Sequence, residues 1–475
     1  MVKKQIAEKK KNGRVYTPEF VVCNILDMIG YTDVNILKKN IIDNSCGNGA
    51  FLTEIVKRYC EIANKSGLSV LNIKYDLENY IFGIELDKEE CQACRENLDA
   101  VVKQFDIFDV KWNVVCQDTL KTKQYDGIMD YVVGNPPYVR VHNLDNLAEI
   151  KSFQFSKEGM TDLYIVFFEI GLNMLKPNGV LGYITPSSYF TSKSGRIMRK
   201  YIIQNNLLTN IVDFKHAQIF NAMTYCCITV LDKKNRAKDV NYYEYDLIHR
   251  QPFLAEKLSQ DDYMIGNCFY FSKKQALHKL KNILSYTPIL NQKEVQVKNG
   301  FATLLDDFFI QDSLPFNEYT IPILKSSTGK WKQCFYPYKN GKIVPFEILQ
   351  KNDNIKRYYL SKIALLKNKA NENTKEWWGF GRTQGLNDVF KVKYSINSLI
   401  RTRDDIKLVE CKSGSGVYSG LYILTNIEFE KIRKALVSQE FVEYVALLGK
   451  YKSGGYYTFS SKDVKCFLDY TLLKD

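Results

Sequence analysis

The chain has 475 residues, 45% of them hydrophobic, and a formal net charge of +13, enough for two to three domains with apolar cores. Its twelve cysteines are scattered without a framework, which fits reduced thiols of a cytoplasmic protein and excludes a disulfide-stapled scaffold. The longest apolar run, Tyr164 to Leu175, is broken by Glu169 and too short for a membrane span, and the basic N-terminus has no apolar stretch of the signal-peptide kind. The charge is unevenly placed. Residues 251–475 carry 34 Lys and Arg against 23 Asp and Glu, leaving 32 against 30 in residues 1–250. A basic half rich in aromatics suits a polyanion.

In chain order, a Lys-rich start (1–14) precedes Val15-Tyr16-Thr17-Pro18. An amphipathic helix is predicted from Phe20, with Thr17 as its N-cap and Pro18 at its first position. Ile41 and Ile42 form a strand ending at Asp43. Ser45-Cys46-Gly47-Asn48-Gly49-Ala50-Phe51 is then a tight turn into a second helix, Leu52 to Ala63. Strand, glycine turn and helix is the layout of a nucleotide-type cofactor site, where Gly47 and Gly49 let backbone approach a ligand. No G-x-x-x-x-G-K-[ST] occurs, which argues against an NTP phosphate site.

The polar stretch 64–79 reads as an insertion. Tyr80 to Asp87 is a second strand, with Glu85 placed to accept both hydroxyls of a ribose. Cys91-x-x-Cys94 falls on a helix without a second pair, so no zinc site is expected. Trp112 to Cys116 is a third strand leading into Gln117-Asp118-Thr119-Leu120, and Asp126 to Val133 a fourth. The fourth opens into Asn135-Pro136-Pro137-Tyr138. Two prolines remove two backbone donors, so the carbonyls beside them remain as acceptors. Asn135 adds a side-chain acceptor and Tyr138 a flat ring, a set that receives an amino group on a planar ring. A helix (Asp162 to Leu175), a stop at Pro177-Asn178-Gly179, and strands at Val180–Ile184, Leu208–Phe214 and Tyr225–Leu231 follow. Residues 1–245 thus read as a doubly wound α/β domain, with acidic or amide groups at four strand ends.

These motifs, in this order, resemble the gamma-class DNA adenine-N6 methyltransferases, the TaqI-like group of restriction–modification type. The resemblance rests on Val15–Pro18, Asp43–Phe51, Glu85, Asp118 and Asn135–Tyr138, and covers about the first 235 residues. It implies a Rossmann-like S-adenosylmethionine-dependent domain followed by a mixed α+β target-recognition domain, here 246–475. It also implies a cofactor site of Tyr16, Thr17, Asp43, Cys46, Gly47, Gly49, Glu85, Asp118, Thr119 and Asn135. Catalysis falls to Asn135, Pro136, Pro137 and Tyr138, with Phe220, in Gln218–Thr224, as a second aromatic facing Tyr138 across the base. Double-stranded DNA is the implied substrate and a cognate restriction endonuclease the implied partner, with no metal: the four histidines (His142, His216, His249, His278) form no ligand cluster.

In the second half, Val297–Ala302 and Phe308–Ile310 read as paired short strands, continued by Pro322–Ser327 and Trp331–Tyr338. Lys375-Glu-Trp-Trp-Gly-Phe-Gly-Arg-Thr-Gln384 offers Arg382 for guanine and Gln384 for adenine, against the reading that Trp377 and Trp378 are core and Arg382 meets a phosphate. Lys325, and Lys452 in the turn Lys450–Tyr457, are further DNA contacts. Glu410-Cys411-Lys412 has the local form of a nuclease motif, with Asp388 or Asp404 upstream, but reads better as a recognition-domain strand. Two other classes share these features: a methyltransferase acting on a protein glutamine or an RNA base, and a non-enzymatic DNA-binding subunit on the same fold.

Overall fold

The structure, a computed structural model, describes residues 16–141, 147–220, 225–235, 237–288, 294–369 and 376–473. Val15, His142, Asn221 to Thr224 and Lys375 lie outside these residues, as does the start 1–14. The chain divides into two units, Met1–His278 and Lys279–Asp475.

The first unit is built on a nine-stranded sheet. Its strands are β1 (Ile41–Asp43), β2 (Ile81–Glu85), β3 (Asn113–Cys116), β4 (Met129–Gly134), β5 (Leu175–Pro186), β6 (Leu208–Asp213), β7 (Cys226–Asp232), β8 (Asp239–Asp246) and β9 (Gln251–Ser259). They lie in the order 3-2-1-4-5-7-6-8-9. The first five are parallel; β7 runs against both its neighbours, and β9 against β8. The alternation of side chains along a strand sorts the apolar residues into two cores. Ile41, Val133, Val212 and Cys226 lie in one, and Ile42, Val132, Ile211 and Cys227 in the other. Helices α1 (Glu19–Met28), α2 (Ala50–Lys65), α3 (Val70–Tyr80) and α4 (Lys88–Val102) cover the first face. Helices α5 (Leu163–Met174) and α6 (Arg196–Gln204) cover the second. Helices on both faces of a mostly parallel sheet are the expected doubly wound form.

Several local expectations change. Pro18, not Thr17, caps α1, and no side chain caps it. The supposed insertion is helix α3, capped by the Ser69 hydroxyl and fixed by Asp76, whose buried carboxylate accepts from the Tyr59 hydroxyl at 2.9 Å. Pro177-Asn178-Gly179 does not follow a helix end directly: α5 stops at Met174, and the three residues lie in a bulge of β5 opposite Asp130. Strand β9, which closes the sheet against β8, extends the first unit past residue 245.

The second unit holds two four-stranded sheets. Gln296–Asn299 pairs with Leu421–Leu424, whereas Ile310–Gln311 pairs with Lys330–Phe335. The two segments expected to pair with each other therefore belong to different sheets, and Phe308 and Phe309 sit in a short helix (Asp306–Phe309). Thr320–Lys325 and Lys330–Phe335 form a hairpin as expected. Trp377 and Trp378 pack on the aromatic core around Phe346 and Tyr359, and the Trp378 indole donates to the Val344 carbonyl at 2.9 Å.

Candidate functional site

The strand order reverses between β1 and β4, and a parallel sheet offers its ligand crevice at such a point, beyond the carboxyl ends. Asp43 ends β1 there, and Gly134 ends β4 beside it. Gly134 has φ +153°, and a Cβ at this position would lie 2.8 Å from Asp43 Oδ1, so glycine is what lets the Asn135 turn pass over the carboxylate. Asp43 is 1% exposed. Burial, and secondarily the charge of Glu85, raise its pKa to about 7 against a hydrogen bond from the Ser45 N–H. Among the described residues no cation pairs with it.

The glycine turn runs from Asp43 into α2. Gly49, at φ +92°, is the N-cap of α2, and a Cβ there would strike the Cys94 sulfur at 2.8 Å. The Gly47 N–H donates to Glu85 Oε2 at 2.9 Å, while Glu85 Oε1 accepts from the Leu86 and Asp87 N–H groups, each at 2.9 Å. Three backbone donors thus aim the Glu85 carboxylate at the end of β2. The Cys46 thiol is buried, and its N–H donates to the Ile84 carbonyl. At the end of β3, Asp118 Oδ1 accepts from the Leu120 N–H at 3.0 Å, and the Thr119 hydroxyl donates to the Asn44 carbonyl at 2.7 Å. Asn44 is fully buried; its side-chain oxygen accepts from the Tyr183 hydroxyl at 3.0 Å. This network joins the glycine turn to β3 and β5. A recess of about 290 Å3 opens beside Asp118, lined also by Gln117, Thr122 and Gln124.

Asn135 meets Thr17: its amide nitrogen donates to the Thr17 hydroxyl at 3.1 Å. The Thr17 side chain, which the sequence assigns to capping, therefore holds the amide of Asn135 instead. Tyr16 is half exposed and its hydroxyl donates to Glu90 Oε1 on α4 at 2.9 Å. The Tyr138 hydroxyl donates to the Ile184 carbonyl at 3.3 Å. Burial first, and the Cys226 thiol second, push this phenol well above its ordinary range, so Tyr138 is a neutral ring at working pH and not an acid or base. Phe220 does sit at Tyr138, with ring centroids 6.4 Å apart and planes at 71°. Tyr164 meets Tyr138 on an equally edge-on contact, 6.4 Å and 80°. The sequence reading places Tyr164 only on an apolar helix; nothing local marks it as a wall of this site, because the contact is made across 26 residues of chain.

The second-unit residues are described separately. Arg382 and Lys452 are exposed and Lys325 partly so. The Arg382 N–H donates to the Ala302 carbonyl, and the Gln384 amide donates to the Gly300 carbonyl at 2.5 Å. Gln384 is thereby tied to its own fold, while the Arg382 guanidinium faces solvent. Gly454 and Gly455, both at positive φ, turn the chain between Tyr451–Lys452 and Tyr456–Thr458, as the Lys450–Tyr457 reading expects. Glu410 lies on the edge strand Leu408–Cys411, and Asp388 is engaged by Lys298, Lys391 and Tyr422. Among the described residues no cluster of three or more His, Cys, Asp or Glu is suited to a metal ion.

Residues 51–220 match the model of the Eco57I restriction-modification methylase family. Over those residues the chain is similar to that family. Glu85, Asp118, Asn135–Tyr138 and Phe220 all lie within the matched segment. Among curated relatives, the type II methyltransferase M.BstVI of Geobacillus stearothermophilus is 26% identical over 426 residues, covering 78% of this chain and 74% of that protein. The type II restriction enzyme and methyltransferase RM.Eco57I of Escherichia coli is 23% identical over 525 residues, covering 88% of this chain but 52% of its own length. The fold is similar to that of the type IIL restriction-modification enzyme MmeI, solved in complex with DNA, with TM-score 0.61 and 13% identity over 96% of this chain and 64% of that one. The chain thus spans about three quarters of one relative and half to two thirds of the others.

The cofactor of an Eco57I-type methylase is S-adenosylmethionine, and the residues fit it. A buried carboxylate without a cation, Asp43, is complementary to an ammonium group. Glu85, held by three N–H donors, presents acceptor lone pairs suited to a pair of hydroxyls.

Proposed function

We propose that the chain is a site-specific DNA methyltransferase that transfers a methyl group from S-adenosylmethionine to N6 of an adenine extruded from duplex DNA, as the modification enzyme of a restriction–modification system or as a methylase acting alone. The observation that carries this reading is the placement of Asn135–Tyr138 at the switch point. It stands directly beyond Asp43 and Gly134, with Thr17 on its amide and Phe220 and Tyr164 around its ring. In this reading Thr17, Asp43 and Gly47 line the methionine side, Glu85 takes the ribose, and Asp118 with Thr119 lies at the cofactor's adenine.

The N6 lone pair of adenine is delocalised into the ring and is a poor nucleophile. The Asn135 side-chain oxygen and the Pro136 carbonyl accept the two N6–H bonds, drawing the nitrogen toward tetrahedral geometry and its lone pair out of the ring plane. Thr17 fixes which face of the Asn135 amide is the acceptor, because its hydroxyl takes the amide's N–H. Alignment of this kind supplies several kcal/mol, about 7–11 at the extreme. When bound, the cofactor supplies a sulfonium-activated methyl, so the chain's own task is to orient the amine. Extrusion costs a few kcal/mol, and stacking on Tyr138 returns about 1–3 kcal/mol.

Duplex DNA as the substrate is supported by the second unit, where residues 279–475 carry 31 Lys and Arg against 20 Asp and Glu. Arg382, Lys325 and Lys452 contact it there, while the Gln384 amide is engaged by the Gly300 carbonyl. Incubation of the chain with methyl-labelled S-adenosylmethionine and unmethylated genomic DNA, followed by nucleoside analysis, tests the reading. Label in N6-methyladenine is expected, with the modified positions sharing one sequence. Label confined to protein or RNA, or to cytosine, would overturn it.

A further inference from the structure

Immediately beyond Tyr138 the chain forms a short antiparallel bridge that the chemistry above does not use. The Leu163 N–H donates to the Val139 carbonyl at 2.8 Å and the Val141 N–H to the Thr161 carbonyl at 3.1 Å, with Arg140 opposite Asp162. The partner segment is rigid. Phe155, Ser156, Thr161 and Leu163 are all buried. The Thr161 and Ser156 hydroxyls donate to carbonyls of their own loop, and Glu158 is tied to Arg196 at 2.5 Å. Gly159, at φ +69°, lies so close to Ser194 that a Cβ would meet its nitrogen at 3.0 Å. Yet Met160, in the middle of this fixed turn, is 80% exposed. Met160 is thus an apolar side chain displayed by a solvent-facing turn whose ends are held by buried residues. Three exposed cations lie on the segments that hold this turn: Arg140 opposite Asp162, Lys157 on the turn itself, and Lys193 next to Ser194, where its charge also acts on Glu158.

We propose that Met160, with Arg140, Lys157 and Lys193 on the segments that hold its turn, is the wedge that enters the base stack of duplex DNA where the target base leaves it. This rests on the extruded-adenine reading and adds the residue that holds the duplex open. The chemistry matches the surface. The cations take the phosphates flanking the gap, and a flexible thioether occupies the space between base steps, a use to which Met, Leu, Ile and Phe are put in other DNA-deforming proteins. The placement matches too. The bridge of Val139–Val141 with Thr161–Leu163 joins the chain just after Tyr138 to the turn that carries Met160. Met160 is a positioning residue: it touches neither the methyl donor nor N6.

The test uses the full chain and duplexes of its own modified sequence, with 2-aminopurine at the target adenine for fluorescence and adenine for single-turnover transfer. Each duplex is made fully paired and with the base opposite the target removed, which prepays most of the extrusion. Met160→Ala is expected to lower both the fluorescence rise and the transfer rate on the paired duplex by about tenfold, with recovery to within about threefold of wild type on the unpaired duplex. Met160→Leu is expected to retain the wild-type rate on both. A Met160→Ala rate unchanged on the paired duplex overturns the proposal, as does an equal loss on both duplexes, which marks damage to the fold. A wild-type chain that methylates adenine without any fluorescence rise overturns the extruded-base reading itself, and this signature is independent of the variant.

Discussion

Two carboxylates buried to a similar degree, Asp43 in the first unit and Asp388 in the second, are treated in opposite ways. Asp43 is 1% exposed and Asp388 3%. Burial raises the pKa of Asp43 to about 7, relieved only by the Ser45 N–H. Burial also opposes ionisation of Asp388, but hydrogen bonds from Lys298 and Lys391 at 2.8 Å and from Tyr422 at 2.9 Å outweigh it and bring the pKa down to about 2. Asp388 is a clamp, complete within its own fold. Asp43 is a socket, and in the proposed reading the positive partner it lacks is the ammonium of the methyl donor. A buried charge with its partners in place holds a fold together, and one without them marks where a ligand belongs.

The largest effect should come from breaking the clamp. Asp388→Ala leaves Lys298, Lys391 and Tyr422 facing a gap, and should cost the second unit about 3–5 kcal/mol. Denaturant unfolding followed by tryptophan fluorescence reads this directly, because Trp331, Trp377 and Trp378 all lie in that unit. The socket has the opposite signature in pH. With its folded pKa raised from 3.8 to about 7, the stability carried by protonated Asp43 is complete below about pH 4 and is lost as pH rises to about 7. The loss is at most about 4 kcal/mol across that window. Asp43→Asn should flatten the slope in calorimetric melts from pH 4 to 7.5, while saturating S-adenosylmethionine should restore wild-type stability at the alkaline end and not that of the variant. On the open side of the socket, Tyr138→Ala should slow single-turnover transfer by about 1–3 kcal/mol, the worth of one stacked base. The smallest effects belong to the second unit's surface. DNA affinity should fall with salt by about 0.9 log unit per phosphate contact. Lys325→Ala or Lys452→Ala should reduce that slope by about one, whereas Arg382→Ala should also relax sequence preference if it reads a base edge.

The strand-end residues were legible because each is announced locally: a short β-branched or apolar run, then Asp43, Glu85, Asp118 or Asn135 where it stops. Both faces of the sheet follow from the same alternation, as Ile41 and Ile42 show by entering different cores. What stayed hidden depends on contacts distant in sequence. Thr17 is an ideal capping residue by type, and only the approach of Asn135, 118 residues away, reassigns its hydroxyl. Tyr164 reads as one apolar position among many on α5 until it meets Tyr138. Helix α3 was obscured by polar residues that face solvent, while Ile73, Asp76 and Leu77 are buried. In the second unit the strands are two to six residues long and their partners lie far along the chain, so local pattern suggests strands without saying which ones pair.

In the proposed reaction the Asn135 amide, held by Thr17 beside Asp43, orients the amine that receives the methyl group. Single-turnover methyl transfer by Asn135→Ala to a duplex of the modified sequence, with cofactor and DNA affinities measured on the same preparation, puts this role to the test. A rate at least about 10^2-fold below wild type is expected, the scale of one preorganised polar group in a reaction, with DNA binding retained. Turnover within a few-fold of wild type would contradict it and remove Asn135 from the chemistry.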